Sequence, residues 1–432
     1  MKLEDLKKYT KKIVIFGAVD NERLSLILEY GIHIYKIIDN DKNKDGSYIK
    51  GIPVKTVETL NNDDKKEIVV LIITTRCTQE MEEQIAVMGI QECYVAIRDF
   101  DEFKNPEILA HQMGVNINDV SPSILNVELS GICNLKCIYC PFHGAINLKK
   151  DKGIMNWDVL KLVTAQMERV PTIKTLSLVG GGEIFLNLEW YEMTDYLLKH
   201  LNINKLLIYT NGMLLNSENI KKISYLQRNY NLDIFLEISI DGNNPTECNS
   251  YRIGASYEKI KNNANSALEF FKNEKKVCIS IFNLNLADEK SVKENNFIID
   301  QNNEPPEYLK KDFPNVHIIS RKPNLDYAIK DEVPGFKKIE IKKKYPFPIC
   351  WNTFNRIAIN FRGGLLRCSC GKSGIEEIAN VKSDDILAYW KNDQEMNKAR
   401  HNILTSSYEE DFCTGCELKS KDPYYVLIKE SL

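Results

Sequence analysis

Cys133-Asn134-Leu135-Lys136-Cys137-Ile138-Tyr139-Cys140 sets three thiols in a C-x3-C-x2-C spacing at the end of a strand-like run. Residues 124–130 alternate and are rich in apolar side chains, as a strand is. Gly131 is expected to let the chain turn so that three side chains within eight residues point at one centre. The spacing predicts a bound metal cluster. Structural zinc and ordinary ferredoxin clusters take four protein ligands, so a compact trio leaves one coordination position for something that is not protein. A zinc knuckle or three buried thiols is the plainer alternative, and the residues downstream bear on it.

Beyond the loop the chain repeats strand and helix. Residues 157–168 carry Trp157, Leu160, Val163 and Met167 at helical spacing. Strands are expected over 175–179, 205–209, 233–240 and 276–282, and helices over 188–200, 217–227 and 257–271. A sixth strand, 316–320, is expected inside the charged, proline-bearing stretch 287–344, whose charges read as solvated surface. The alternation predicts a barrel-like β/α array, whose chemistry sits at the carboxyl ends of its strands. Short motifs stand at those ends: Gly181-Gly182-Glu183, Thr210-Asn211-Gly212 and Ser239-Ile240-Asp241-Gly242. Alone, each reads as a turn, a cap or a bend. Their order and common placement carry more than any one of them.

The octapeptide, with an aromatic residue just before its last cysteine, resembles the signature of the radical S-adenosylmethionine (radical SAM) superfamily. The resemblance implies a 4Fe-4S cluster on Cys133, Cys137 and Cys140 whose fourth iron chelates SAM. Reduction would split SAM to methionine and a 5'-deoxyadenosyl radical that abstracts hydrogen from an unactivated C–H bond. Gly181, Gly182 and Glu183 resemble the segment that meets the SAM ammonium. Asn211, Ser239 and Asp241 would lie near the ribose and methionine parts, and Tyr139 near the adenine. Arg252 matches an arginine that pairs with the SAM carboxylate, where a planar fork binds bidentately. The implied fold is α/β, a partial (β/α)6 TIM-like barrel over 123–345. Ile184-Phe185 departs from the commoner proline-leucine, which bears on packing more than on binding.

The C-terminal segment, 346–432, reads Cys350-x12-Gly363-x4-Cys368, then 44 residues, then Cys413-x2-Cys416. Four thiols close a site. The pattern resembles the start of the SPASM extension of radical SAM enzymes, with Asn380, Trp390 and Arg400 at matching places. The sixteen residues after Cys416 hold no further cysteine, which resembles the single-cluster twitch version. A second 4Fe-4S cluster on Cys350, Cys368, Cys413 and Cys416 is implied. Cys370 is a spare that could replace Cys368, and structural zinc is the alternative occupant. A second cluster could accept an electron from a substrate radical, or only anchor substrate or fold.

Residues 1–105 alternate strand and helix, as a small parallel-sheet unit does. Val14-Ile15-Phe16-Gly17, Ile38-Asp39-Asn40-Asp41 and Gly51-Ile52-Pro53-Val54 resemble the Rossmann-like nucleotide-sugar-binding domain of bacterial sugar acyltransferases. The glycine-rich turn is reduced to Gly17-Ala18-Val19-Asp20, which argues against dinucleotide binding, although Asp39 falls near where a ribose-binding carboxylate would. A docking or dimerisation module and a nucleotide-sugar site both remain open. Residues 106–122 are expected to link the two parts, with a helix over 103–116.

Composition excludes more than it selects. In 432 residues, 27% charged and 43% apolar side chains with a net charge of -3 describe a globular chain with no general attraction for nucleic acid or anionic lipid. No apolar run approaches the roughly 18 residues of a membrane span, and Met1 to Lys12 carries both charge signs, so a cytoplasmic location is expected. Twelve cysteines there argue for metal or redox chemistry rather than disulfides. Cys77, Cys93, Cys248 and Cys278 lie outside both groups and read as small buried hydrophobes.

The expected function is a radical SAM oxidoreductase acting on a carbohydrate-type substrate, a nucleotide sugar or cyclitol, oxidised or epimerised at a carbinol carbon. A flavodoxin- or ferredoxin-type protein would donate the electrons. Epimerisation would need a thiol to return hydrogen, and Cys248 is the candidate. The rival readings are a peptide- or protein-modifying maturase and a non-catalytic iron-sulfur binding protein.

Overall fold

The computed structural model describes residues 2–18, 22–74, 78–100, 120–140, 142–144, 151–285, 304–321, 336–341, 352–368, 376–404, 413 and 424–429. The chain divides into two compact units, Met1–Asp119 with His401–Ser407, and Val120–Arg400 with Tyr408–Leu432. The helix expected over 103–116 lies outside the described residues.

The first unit is built on six strands: β1 (Lys12–Phe16), β2 (Ile34–Asp39), β3 (Tyr48–Ile49), β4 (Ile52–Thr56), β5 (Ile68–Ile72) and β6 (Cys93–Val95). Their order is β3-β4-β2-β1-β5-β6, and all pairs are parallel except β3 with β4. β1 and β5 read as unbroken apolar runs, Ile13-Val14-Ile15-Phe16 and Ile68-Val69-Val70-Leu71-Ile72, because every one of those residues is buried. Burial on both faces is what parallel sheets impose on their central strands. The β3–β4 hairpin turns through Lys50 and Gly51, both at positive φ, the geometry of a two-residue turn between twisted strands.

In the second unit the strands are β7 (Ile124–Val127), β8 (Lys136–Cys137), β9 (Thr175–Leu178), β10 (Lys205–Thr210), β11 (Asp233–Ser239), β12 (Arg252–Ile253), β13 (Val277–Leu284), β14 (His317–Arg321), β15 (Phe336–Ile341), β16 (Arg356–Ile359), β17 (Gly364–Leu366), β18 (Glu377–Asn380) and β19 (Tyr424–Lys429). Nine of them form one sheet, β14-β13-β11-β10-β9-β7-β16-β17-β18. The run from β7 to β14 is parallel and follows chain order, with helices between successive strands. One face of each helix is apolar. Leu160, Val163, Met193, Leu197, Ile220, Ile223, Ile260 and Ala264 pack with Leu125, Val127, Leu176, Ile208, Leu236 and Ile238 of the strands in one buried core. Side chains of Asn156, Asn216 and Ser256 cap the helices that start at Trp157, Ser217 and Tyr257, so each begins where the preceding loop ends.

The α/β class and the parallel order agree with the sequence reading. Closure into a barrel is not seen among the described residues. β14 stands at one edge, and the free side of β7 is taken by β16, which pairs with it in parallel. β17 and β18 continue antiparallel beyond β16, so strands from the C-terminal segment extend the sheet. β15 and β19 pair separately as an antiparallel ribbon. Among the described residues, no helix is long and apolar enough to cross a membrane.

Candidate functional site

The thiol loop leaves the carboxyl end of β7 and is held on three sides. Ser130 bridges to Ile154, and the Gly131 N–H donates to the Gly153 carbonyl at 2.7 Å. Gly131 does not sit at positive φ; its missing side chain leaves room for the Phe361 ring, which a Cβ there would meet at 2.5 Å. The glycine therefore serves a close approach and not a backbone angle that only glycine reaches. Within the loop, the Leu135 N–H donates to Cys133 Sγ and the His143 N–H to Cys140 Sγ, each at 3.4 Å. β8, which contains Cys137, pairs antiparallel with β12, and this sets Arg252 opposite Cys137.

All three thiols are half-buried. Burial pushes Cys137 up to about 12 and Cys133 up as well; Cys137 also feels the charges of Cys140 and Cys133, and Cys133 that of Cys140. Half-buried thiols from one loop suit a cluster with one position left open, as a donor set. Loading iron would displace their protons, so assembly is coupled to pH. Among the described residues, no group of three or more His, Cys, Asp or Glu is gathered to hold a single ion. A cluster differs in this respect, because each thiolate takes its own iron.

The strand-end motifs converge on this loop. Glu183, 2% exposed, donates its backbone N–H to the Ile132 carbonyl at 2.8 Å. Its Oε1 accepts from Thr210 Oγ1 at 2.7 Å and its Oε2 from the Asn211 N–H at 2.8 Å, yet burial still pushes the carboxyl above its ordinary value. Gly182 is required by contact: a Cβ would stand 2.4 Å from the carbonyl oxygens of Ser130 and Ile132. The Asn211 amide reaches Asn134 Oδ1 at 2.9 Å and Cys133 Sγ at 3.8 Å. Asp241 and Arg252 form a buried ion pair at 2.8 Å, and Asp241 Oδ1 also accepts from the Leu284 N–H. Arg252 Nε is buried and makes no hydrogen bond. The Tyr139 ring packs edge-on against Tyr251, and burial, followed by the Asp241 charge, holds its hydroxyl well above its ordinary value. Ser239 closes β11, in register with Phe282.

Cys133, Cys137, Cys140, Tyr139, Gly181, Gly182, Glu183, Asn211, Asp241 and Arg252 are thus gathered at the carboxyl ends of β7 to β11. Cys248 is fully buried within the helix Pro245–Tyr251, where burial, reinforced by the Asp241 charge, pushes its thiol up to about 11. Of the second cysteine group, Cys368 is half-buried two residues past β17 and Cys413 is buried. Cys350, Cys370 and Cys416 lie outside the described residues. Two residues absent from the sequence reading enter the site, Glu128 and Phe361. Glu128 had a signal: it is the one acid in the apolar-rich run 124–130.

Residues 127–294 match the family model described as Radical SAM superfamily. No curated protein matches the chain. Similar solved structures include BtrN in complex with AdoMet and 2-DOIA, at 15% identity and TM-score 0.41, covering 71% of this chain and 99% of that one. AnSMEcpe with bound AdoMet follows at 19% and 0.43, covering 67% and 84%. Streptococcus suis SuiB bound to precursor peptide SuiA stands at 13% and 0.42, covering 75% and 79%. Likenesses at these scores say nothing about substrate. The stretch that matches this family model contains the thiol loop and every strand-end motif that converges on it.

Proposed function

We propose that the chain is a radical SAM enzyme that oxidises a carbinol carbon of a carbohydrate-type substrate, a nucleotide sugar or cyclitol. The observation that carries the class is the convergence of three strand-end motifs on one thiol loop, with Asn211 on Cys133 and Arg252 paired across from Cys137. Cys133, Cys137 and Cys140 would hold the SAM-binding cluster, and Cys350, Cys368, Cys413 and Cys416 an auxiliary one. When bound, the clusters and SAM would supply the reducing electron, the 5'-deoxyadenosyl radical and an acceptor for the substrate's second electron.

The protein's own share is binding and orientation. The Leu135 N–H favours the thiolate form of Cys133 that ligation needs, and the His143 N–H is aimed at Cys140 Sγ. Glu183, a buried acid whose donors are backbone N–H groups and a hydroxyl, suits an ammonium. Arg252, steadied by Asp241, keeps a guanidinium in the same place for a carboxylate. The parallel strands in chain order support a partial (β/α)6 barrel as the frame. Complete burial of Cys248 supports oxidation over epimerisation, since a hydrogen-returning thiol has to reach the substrate.

The carbohydrate substrate rests on the sequence motifs of the first unit, and the auxiliary cluster on the twitch-like spacing of the C-terminal segment. The winding order of the first unit supports a Rossmann-like reading, since it reverses between β1 and β5. Its Asp39 is spent locally: Oδ2 accepts from the Ala18 N–H and Lys44, and Oδ1 from the Asp41 N–H. Such use supports a docking role over nucleotide binding.

Anaerobic reconstitution tests the assignment. The wild type should carry about eight irons per chain and form 5'-deoxyadenosine with SAM, a strong reductant and a nucleotide-sugar pool. Cys137→Ala should lose about four irons and all deoxyadenosine. Deoxyadenosine rising only with a peptide pool would replace the substrate class, and no SAM cleavage by fully loaded protein would remove the enzyme.

A further inference from the structure

Glu128 stands where three strands meet. β7 lies between β9 and β16 in the sheet, so the first residue past β7 is flanked by the segments that follow both neighbours. Its backbone N–H donates to Ile359 of β16 at 2.9 Å. Its carboxylate, on a residue only 4% exposed, divides between the two sides: Oε1 accepts from the Gly181 N–H at 2.6 Å, and Oε2 from the Phe361 N–H at 3.3 Å. The glycine before Gly181 is shaped to this acid, since a Cβ on Gly180 would stand 2.3 Å from Glu128 Cγ.

Phe361 fastens the same corner from the other direction. Its ring lies against Gly131 and Gly153, where Cβ atoms would approach it to 2.5 and 2.7 Å. It opens the turn between β16 and β17 that leads to Cys368. The backbone presenting Gly181-Gly182-Glu183 and the backbone entering the thiol loop are thus both braced on one hairpin of the C-terminal segment.

We infer that Glu128 is a positioning residue for SAM: through the Phe361 hairpin it fixes the Gly181–Glu183 backbone at the height a ligand needs. The inference rests on the proposed placement of SAM at Gly181, Gly182 and Glu183. It goes beyond that placement in making SAM affinity depend on a segment more than 170 residues away, reached through Glu128 and the Phe361 ring.

The test separates affinity from assembly. Reconstituted wild type and Glu128→Gln are compared for iron content, for thermal midpoint, and for SAM affinity read from the change SAM causes in the spectrum of the reduced cluster. Glutamine keeps the volume and one acceptor but sets an N–H2 against one of the two backbone donors. Iron content should stay at the wild-type value while the SAM dissociation constant rises about ten- to a hundredfold, the scale of a charge-assisted bond turned against its donor. Phe361→Leu approaches the corner from the hairpin and should weaken SAM about three- to tenfold. The double variant should fall short of the product of the two, because both act through one contact. A Phe361→Leu protein with wild-type affinity overturns the inference even where Glu128→Gln does not fold, as does Glu128→Gln binding SAM like wild type. Loaded wild type showing no spectral response to SAM takes down the SAM placement itself, and the inference with it.

Discussion

Two acids at the ends of parallel strands, one in each unit, are driven in opposite directions by what surrounds them. Asp39 ends β2. Burial pushes its carboxyl up, but the N–H groups of Asp41 and Ala18 and the Lys44 ammonium outweigh it, and the group sits below the usual carboxylate range. Glu183 follows β9 and also accepts from two N–H groups and a hydroxyl, yet burial dominates and the group sits above the usual range. The hydrogen-bond counts are alike, so the counts do not decide the outcome. Burial decides it: Glu183 is 2% exposed and its desolvation outweighs its donors, whereas the Asp39 side chain keeps 14% of its surface open and adds Lys44 at 3.1 Å to its two N–H groups. One acid has a cation at hydrogen-bond distance, and the other feels only the charge of Arg252, which is paired with Asp241.

The comparison breaks most severely if the buried pair beside Glu183 is opened. Arg252→Ala leaves Asp241, 1% exposed, without its cation, and a loss of about 3–5 kcal/mol in unfolding free energy is expected. Denaturant unfolding measures it; a loss under about 1 kcal/mol would mean that Asp241 is served by other groups. Glu183→Gln is the next step down. SAM affinity should fall at least tenfold, on the scale of a charged hydrogen bond. The pH dependence gives a second signature. A carboxyl raised by folding contributes stability below its unfolded value, about 4.3, and that contribution is lost as pH rises through its folded value. Wild-type stability should therefore decline across that window relative to Glu183→Gln. Parallel stability curves from about pH 4 to 8 would contradict the raised carboxyl.

What the sequence exposed, and what it hid, divide along a physical line. The strand series from β7 to β13, the thiol loop and the strand-end motifs were legible because each is written in local spacing: alternation, a 3.6-residue period, a glycine beside a carboxylate. Partnership across the chain was not. That β16 occupies the free edge of β7 depends on pairing Arg356 with Ile124, and periodicity reports which face a residue takes but not which strand it meets. Gly131 shows the same limit at one residue: its role was read as a turn because Phe361, the ring it makes room for, lies far along the chain. Gly182 shows it again: what it leaves room for is the carbonyls of Ser130 and Ile132 in the thiol loop itself. The two-residue ladder of β8 with β12 is too short to leave any period, and it is what sets Arg252 opposite Cys137.

Asp39→Asn is the mildest way to sharpen the contrast. Asparagine keeps one oxygen for an N–H donor, loses the attraction to the half-exposed Lys44, and sets an amide where the second donor pointed, so a cost of about 1 kcal/mol is expected in the first unit. The sign of its pH dependence is opposite to that at Glu183. A carboxyl lowered by folding contributes stability above its unfolded value, about 3.9, and that contribution fades as pH falls through its folded value. Wild type and Asp39→Asn should therefore differ at neutral pH and converge in acid. The readout is amide exchange at residues 12–18 and 34–41, where protection should drop in the variant while that of β10 and β11 holds. SAM affinity should not move. A variant that loosens β10 and β11 equally would mean that Asp39 is not confined to its own unit, and the contrast between a structural acid and a ligand-seeking one would then have to be drawn elsewhere.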